Sequence, residues 1–165
     1  MPAAGVLRYP NPVLKQRCTP VDDPELLARV ATDLVDTMRE HPRCVGLAAP
    51  QIGELVRLVA VDVTGHPKAE TTHGLLVLAN PEIVRAHGHE LGREGCLSVP
   101  DLTGNVRRAT RVEISATTPA GDAVSVTATG FEARVLQHEL DHLDGILFLD
   151  RIATKQDLFR RRSYG

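Results

Sequence analysis

Two histidines four residues apart, with a glutamate beside the first, make the clearest chemical pattern in this chain. Residues 138–142 have the sequence HELDH, so His138 and His142 occupy positions i and i+4. On a helix these imidazoles lie on one face and can bind one metal ion, while Glu139 stays beside them and can act on a metal-bound water. Only about 0.02 such matches are expected by chance at this composition. The pattern predicts a metal-dependent hydrolase.

A catalytic ion with two histidine ligands needs a third protein ligand and keeps a further position for water. A protease motif that adds a histidine six residues after the second is excluded, because Phe148 occupies that position. Asp150 or Asp157 could supply a carboxylate, although little chain follows to build a protease cleft. Cys96, flanked by a glycine, could supply a thiolate. The residue types alone leave these alternatives open.

The proposed ligands require a helix, and the surrounding sequence predicts one over residues 131–143. Leu136, Leu140 and Leu143 form an apolar stripe opposite the histidines, and Gly145 follows as a helix-ending residue. We therefore expect a helix that is buried on one side and binds the ion on the other.

The rest of the chain predicts an α+β fold, with mixed or antiparallel sheets around the metal-binding helix. Pro24 begins an amphipathic helix that Pro42 ends, and a short C-terminal helix is predicted from 154 towards 160. Apolar runs and alternating patterns predict the strands, which are 56–63, 75–78 and a hairpin of 111–117 with 123–129.

Size and composition favour one domain over residues 1–165. The net charge of −2 argues against a dedicated nucleic-acid-binding protein. No apolar run is long enough for a membrane span, and the N-terminus does not have the pattern of a signal peptide. Three cysteines, an odd number, fit a reducing compartment. We expect a cytoplasmic protein.

Three segments in order resemble the peptide deformylase family: GLAAPQ at 46–51, EGCLS at 94–98 and QHELDH at 137–142. The likeness extends from about residue 7 to residue 151. It implies removal of the formyl group from the N-terminal formylmethionine of newly made polypeptides, with release of formate. The substrate would be an N-formylmethionyl peptide or nascent chain.

The resemblance also implies roles for individual residues. The metal ligands would be Cys96, His138 and His142. Glu139 would be the general acid/base, while the Gln51 side chain and the Leu97 N–H would donate hydrogen bonds to the formyl oxygen. Substrate-binding positions would be Gly46, Val45, Glu94, Arg134 and Val135, with Gly46 pairing its backbone with an extended peptide. The cofactor would be one divalent ion, natively Fe²⁺, with Zn²⁺, Ni²⁺ or Co²⁺ as alternatives.

Several positions differ from the family pattern or admit two interpretations. Cys44 stands where the family usually has a glycine, and the chain has Leu102, Thr103 and Gly104 where some members carry an arginine a few residues beyond the second segment. Gln137 and Asp141 could orient the ligands or face solvent. The basic run 160–162 is interpreted as a solvated end, with transient ribosome contact as the alternative.

Two other functions are compatible with the same helix. A small zinc protease or amidase would cleave internal or unformylated peptide bonds. A binding protein with a structural metal would have four protein ligands and no position for water. Glu139 argues against the second, because a structural site needs no acid/base.

Overall fold

The computed structural model of the chain describes residues 5–161 and has an α+β fold, as predicted. The two α-helices are α1, Pro24–Arg39, and α2, Gly130–Leu143. The strands are β1 Gly46–Ala48, β2 Leu58–Val61, β3 Leu76–His87, β4 Glu90–Cys96, β5 Val99–Arg108, β6 Arg111–Thr117, β7 Ala123–Thr129 and β8 Leu158–Arg160. Short 3₁₀ helices occupy Pro12–Lys15, Ala49–Ile52, Phe148–Arg151 and Lys155–Asp157.

The strands form two antiparallel sheets. One has the order β1-β2-β3-β6-β7 and the other the order β4-β5-β8. The predicted hairpin is confirmed, since β6 and β7 pair from Arg111↔Thr129 to Thr117↔Ala123. Buried side chains alternate with more exposed ones along β6, because one face of the sheet packs inward.

Helix α1 begins where the sequence predicts. The Asp23 carboxylate accepts hydrogen bonds from the backbone N–H groups of Glu25 and Leu26, and Pro24 occupies the first helical position, where no N–H is needed. The apolar face of the helix includes Val30, Leu34 and Met38 and packs against β1 and β2. This packing supports the strand next to the site.

Helix α2 is the centre of the structure. Its residues Leu136, Leu140 and Leu143 pack in the core with β1, β2, β6 and β7. Every residue from Glu132 to Leu143 except Gln137 is buried, so the side of the helix that carries the histidines is covered as well as the apolar stripe. The polar side of the helix faces β4 and β5, since His138 bonds to Glu94 and Asp141 bonds to Arg108, and both histidines are buried.

Two regions differ from the sequence predictions. The C-terminal helix is a single 3₁₀ turn, Lys155–Asp157, and its predicted continuation to residue 160 is wrong because β8 pairs with the edge of β5. The hairpin of β4 and β5 was not predicted, and β3 extends well past the predicted end at residue 78. Within the described residues, neither α-helix is long and apolar enough to cross a membrane.

Candidate active site

Three possible metal-binding side chains meet between α2 and the end of β4. The ligand atoms of Cys96, His138 and His142 all lie within 4.8 Å of one another, and all three residues are buried. Cys96 Sγ lies 3.4 Å from His142 Nε2. His138 directs Nδ1 to Glu94, so its Nε2 is left for an ion. A thiolate with two imidazoles suits zinc or ferrous iron, so the residues present fit a metal.

Glu139 lies beside this site and is 4 % exposed. Among the described residues, its Oε1 has no hydrogen-bond partner. Burial raises the pKa of Glu139 to about 7, with His138 opposing that rise. A buried carboxyl group that faces a cleft, with one oxygen unpaired among residues 5–161, is available to accept and donate a proton.

Glu94 holds His138 in position through the ring nitrogen Nδ1. Its Oε1 lies 2.9 Å from His138 Nδ1, while Arg108 donates to both carboxylate oxygens and Arg134 donates to Oε2 at 2.8 Å. Burial alone would raise the pKa of Glu94, but the hydrogen bonds from Arg108 and His138 hold it well below its usual range. The ionised carboxylate therefore fixes the ring orientation of His138.

Arg134 was expected among the substrate-binding residues, and the structure directs its guanidinium towards β4 and β5. Besides Glu94, it donates to the backbone oxygens of Val106 and Glu90, each at 2.8 Å. Gly92 leaves room for this side chain, because a Cβ there would lie 2.8 Å from the guanidinium carbon of Arg134. Glu94 and Arg134 line the cleft, but their charged groups contact each other.

The residues that flank the ligands on α2 bind other parts of the chain. Gln137 accepts from the Ala109 backbone N–H at 3.0 Å and donates to the Ala109 carbonyl at 2.9 Å. Asp141 accepts from Arg108 at 2.6 Å and from Arg151. Neither has a hydrogen bond to a ligand histidine within residues 5–161, so both hold α2 in place rather than orient the imidazoles directly.

Gln51 is held rigidly next to Cys96. Its side-chain oxygen accepts from the Ala48 backbone N–H at 3.0 Å. Its amide nitrogen donates to Ser98 Oγ at 3.0 Å and lies 3.4 Å from Cys96 Sγ. The amide is therefore oriented with its donor towards the proposed metal site. The short turn Ala49–Ile52 places it there, since it continues directly from β1.

A cleft of about 580 Å³ opens beside these residues. It is lined by Val45, Gly46, Leu97 and Val135, and by Cys96, His138 and Glu139 at one end. A Cβ on Gly46 would lie 2.7 Å from Glu139 Oε2 and 2.9 Å from Val135 Cγ1. Only glycine fits this position without displacing Glu139, which explains why the GLAAPQ segment has a glycine at residue 46.

Cys44 also lines the cleft, half-buried, and its thiol donates to the Gly46 carbonyl at 3.1 Å. Burial raises the pKa of Cys44 to about 12, and the negative charge of Glu139 adds to that rise. The thiol is therefore protonated at neutral pH.

Two residues of the site were not found from the sequence. Arg108 joins Glu94 to Asp141 in the interior, and Ser98 accepts the Gln51 hydrogen bond. Arg108 lies in the unpredicted strand β5, so no pattern indicated that its side chain points inward. Ser98 is part of the EGCLS segment, where its small polar side chain was the available signal.

Comparisons with known proteins agree with this geometry. A model of the polypeptide deformylase family matches residues 3–157. The chain therefore belongs to the polypeptide deformylase family. A peptide deformylase from Thermodesulfovibrio yellowstonii is 40% identical over 159 residues, which are 95% of this chain and 94% of that protein. The family predicted from the three segments is confirmed.

Solved deformylase structures share the fold. The enzyme from Thermus thermophilus superposes with a TM-score of 0.82 at 40% identity, over 91% of this chain and 86% of that one. A class I type b deformylase from Acinetobacter baumannii, crystallised with Met-Ala-Ser bound, gives a TM-score of 0.83 at 37% identity, over 90% of this chain and 99% of that one. This chain is an enzyme of the deformylase class, which removes N-formyl groups from newly made polypeptides.

Proposed function

We propose that this deformylase hydrolyses the formyl amide of N-formylmethionyl polypeptides at the cleft beside Cys96, and that residues 1–165 form its single catalytic domain. The observation that carries this proposal is the grouping of Cys96, His138 and His142 next to the buried Glu139, whose Oε1 has no partner among residues 5–161. The grouping supplies three metal ligands and one proton-transfer group, which is the minimum for metal-assisted hydrolysis.

Cys96, His138 and His142 would hold one divalent ion, natively Fe²⁺, with Zn²⁺, Ni²⁺ or Co²⁺ as alternatives. A bound ion of this kind can lower the pKa of water from 15.7 to about 7 and can polarise a carbonyl group. Glu94 supports the ligand set, because its hydrogen bond to His138 Nδ1 fixes the tautomer that leaves Nε2 free to bind.

Glu139 moves the proton in the proposed reaction. Its carboxylate accepts a proton from the attacking water, the water oxygen bonds to the formyl carbon, and the carbon–nitrogen bond then breaks. Glu139 returns the proton to the leaving nitrogen, so the products are formate and a free N-terminal amine. Burial of Glu139 favours this role, because a carboxyl group whose pKa is about 7 can both accept and donate near neutral pH.

Gln51 and Leu97 would stabilise the negative charge that develops on the formyl oxygen. The Gln51 amide is already oriented, since Ala48 and Ser98 fix its two ends. The backbone N–H of Leu97 follows Cys96 at the cleft and would be the second donor. Loss of one such donor commonly lowers kcat by about 10²–10³.

The peptide would lie extended along the edge of β1. Gly46 and Val45 would pair with it through backbone hydrogen bonds, and Val135 would contact the methionine side chain. The Met-Ala-Ser complex of the Acinetobacter baumannii enzyme supports a peptide of this kind as the ligand. Glu94 and Arg134 would act by positioning His138 and β4, since their charged groups bind each other.

The proposed partner is a nascent chain in the cytoplasm. In this proposal the basic run 160–162 makes transient contact with ribosomes; Arg160 is exposed, and Arg162 lies outside the described residues. Replacing all three arginines with alanine should weaken salt-sensitive co-sedimentation with ribosomes. Unchanged co-sedimentation would remove this contact from the proposal.

The function is tested with three peptides: formyl-Met-Ala-Ser, Met-Ala-Ser and acetyl-Met-Ala-Ser. Enzyme prepared anaerobically and loaded in turn with iron, nickel or zinc should release formate from the first and leave the other two intact. Gln51→Leu should lower kcat about 10²–10³-fold. Cleavage of internal or unformylated bonds would instead indicate a protease.

A further inference from the structure

The cleft is lined by an excess of basic side chains. Arg43, Lys68, Arg93 and Arg161 all line it, and the first three are exposed. We refer to these four residues as the basic rim. The whole chain has a net charge of −2, so this concentration of positive charge does not follow from composition.

The carboxylates that line the cleft are buried or already bound to other side chains. Those that line it within residues 5–161 are Glu94 and Glu139, and Glu94 is bound by Arg108, Arg134 and His138. In the described part of the chain, no carboxylate forms an ion pair with Arg43, Lys68 or Arg93. An adjacent surface depression does contain Glu70 and Glu90, but neither lines the cleft.

Contacts with neutral groups hold Arg93 in place. Its guanidinium carbon lies 3.6 Å from the centre of the Phe159 ring, and its nitrogens donate to Asn105 and Thr103, each at 3.3 Å. The cation–π contact and the neutral acceptors fix the position of the charge without cancelling it. Strand β8 supplies Phe159, so the C-terminal segment takes part in building this edge of the cleft.

Arg161 follows β8 and reaches the same edge. Its backbone N–H donates to the Asp101 carbonyl at 2.8 Å, and its guanidinium lies against Gly95, where a Cβ would collide with it. Gly95 is the residue before the ligand Cys96. The C-terminal segment thus places a cation one residue from the proposed metal ligand Cys96.

Distances along the strands indicate which substrate residues would meet this charge. Arg93 precedes Cys96 by three residues, and Arg43 precedes Gly46 by three. Arg93 lies on β4, so at roughly 3.3 Å per residue it is about 10 Å along the strand from Cys96, whereas Arg43 lies in the turn that precedes β1. An extended peptide with its formyl group at Cys96 would place its second and third residues at that distance. The methionine side chain itself would remain in the apolar part of the cleft.

We propose that the basic rim makes this deformylase select nascent chains with acidic residues at the second and third positions after the initiating formyl group. The inference rests on the proposed function, since it assumes a formylated peptide in this cleft. Opposite charges attract the acidic side chain, whereas a lysine at the same position meets several like charges. The preference is electrostatic, so added salt should weaken it.

The test compares kcat/KM for three amidated peptides, formyl-Met-Ala-Glu-amide, formyl-Met-Ala-Gln-amide and formyl-Met-Ala-Lys-amide, with the metal-loaded enzyme. The amide cap removes the terminal carboxylate, which would otherwise give every peptide a negative charge. We expect the Glu peptide to exceed the Lys peptide by about tenfold at low ionic strength, with Gln between them. At about 1 M salt, where screening extends to about 3 Å, the ratio should approach one.

Arg160 and Arg161 provide a matched pair of variants, because they are neighbours of equal charge and only Arg161 lines the cleft among the described residues. Arg161→Gln should lower the Glu-to-Lys ratio about two- to threefold, Arg161→Lys should keep it, and Arg160→Gln should leave it unchanged. Equal kcat/KM for the three peptides at low salt would overturn the inference, as would equal effects of Arg160→Gln and Arg161→Gln. Failure to release formate from even the Gln peptide would instead refute the proposed function.

Discussion

The buried carboxylate of Glu94 gives the most detailed prediction. Glu94→Gln keeps the shape of the side chain but removes a charge that faces Arg108, Arg134 and His138. Removing one partner of a buried ion pair typically costs about 3–5 kcal/mol, because the other charge stays buried. Arg108 retains Asp141 at 2.6 Å, and Arg134 retains two backbone oxygens. We therefore expect the lower end, about 3 kcal/mol of unfolding free energy.

The same substitution should weaken metal binding. Gln can still approach His138 Nδ1, but a neutral amide is a poorer acceptor than a carboxylate, and loss of such a partner commonly costs about 10–100-fold in metal affinity. Urea unfolding of metal-loaded protein measures the stability, and competition with a chelator measures the affinity. Because the pKa of Glu94 is held well below its usual range, its stabilisation is complete above the unfolded pKa of about 4.3 and is lost only as pH falls below it. The penalty should therefore be the same at about pH 6 and about pH 8.

Glu113→Gln is the matched control for this experiment. Glu113 lies on β6 and pairs with the exposed Arg85 at 3.7 Å, so its loss should cost less than about 1 kcal/mol. Unchanged stability and metal affinity in Glu94→Gln, or a loss no larger than that of Glu113→Gln, would refute the account of Glu94 as the ion-paired support of His138.

The remaining predictions concern three other positions. Gly46→Ala should lower kcat by about 10²-fold, because the new methyl group must displace Glu139; formate release measures it, and an unchanged rate would contradict the packing argument. Cys44 should resist iodoacetamide in the native protein at about pH 8 and react in urea, since burial raises its pKa to about 12; peptide mapping by mass spectrometry checks this. Asp23→Ala should cost about 1 kcal/mol in urea unfolding with no change in kcat, because it removes only the cap of α1; Asp23→Asn should restore most of it.

The parts of the fold that local patterns specify could be predicted from sequence. Helix α1 has both a capping residue and a regular apolar face, and the hairpin β6–β7 has strict alternation around a turn. In each case the secondary structure that the local sequence favours is the one that the fold requires. The pattern of residues within the segment is therefore enough to predict it. The HELDH pattern predicts both a helix and a metal site. The four-residue spacing of the two histidines is also the spacing that places side chains on one face of a helix.

The hairpin β4–β5 could not be predicted from local sequence. β4 contains Gly92 and Gly95 and several charged residues, a composition that disfavours strands. Its glycines are required by tertiary contacts, since Arg134 and Arg161 occupy the space beside them. β8 is similar, because its strand conformation depends on pairing with β5. The conformation of such segments depends on contacts with residues distant in sequence, and the periodicity of apolar residues gives no information about those contacts.

The same reason explains the supporting residues of the site. The three matching segments led to Cys96 and Gln51, but the ion pairs of Glu94 with Arg108 and Arg134 depend on where β5 and α2 cross. A glutamate next to a glycine and a cysteine gives no sign of an interior position. Its role became visible only when the arginines and His138 could be placed around it.

Release of formate from formyl-Met-Ala-Ser by the metal-loaded enzyme tests the central claim most directly, with Glu139→Ala measured in parallel at equal metal content. We predict stoichiometric formate and free Met-Ala-Ser from the wild-type chain, loss of nearly all activity in the variant, and no activity after metal removal. Formate release that persists in Glu139→Ala, or no release by wild-type protein with its metal bound, would contradict the assignment of this site as the deformylase centre.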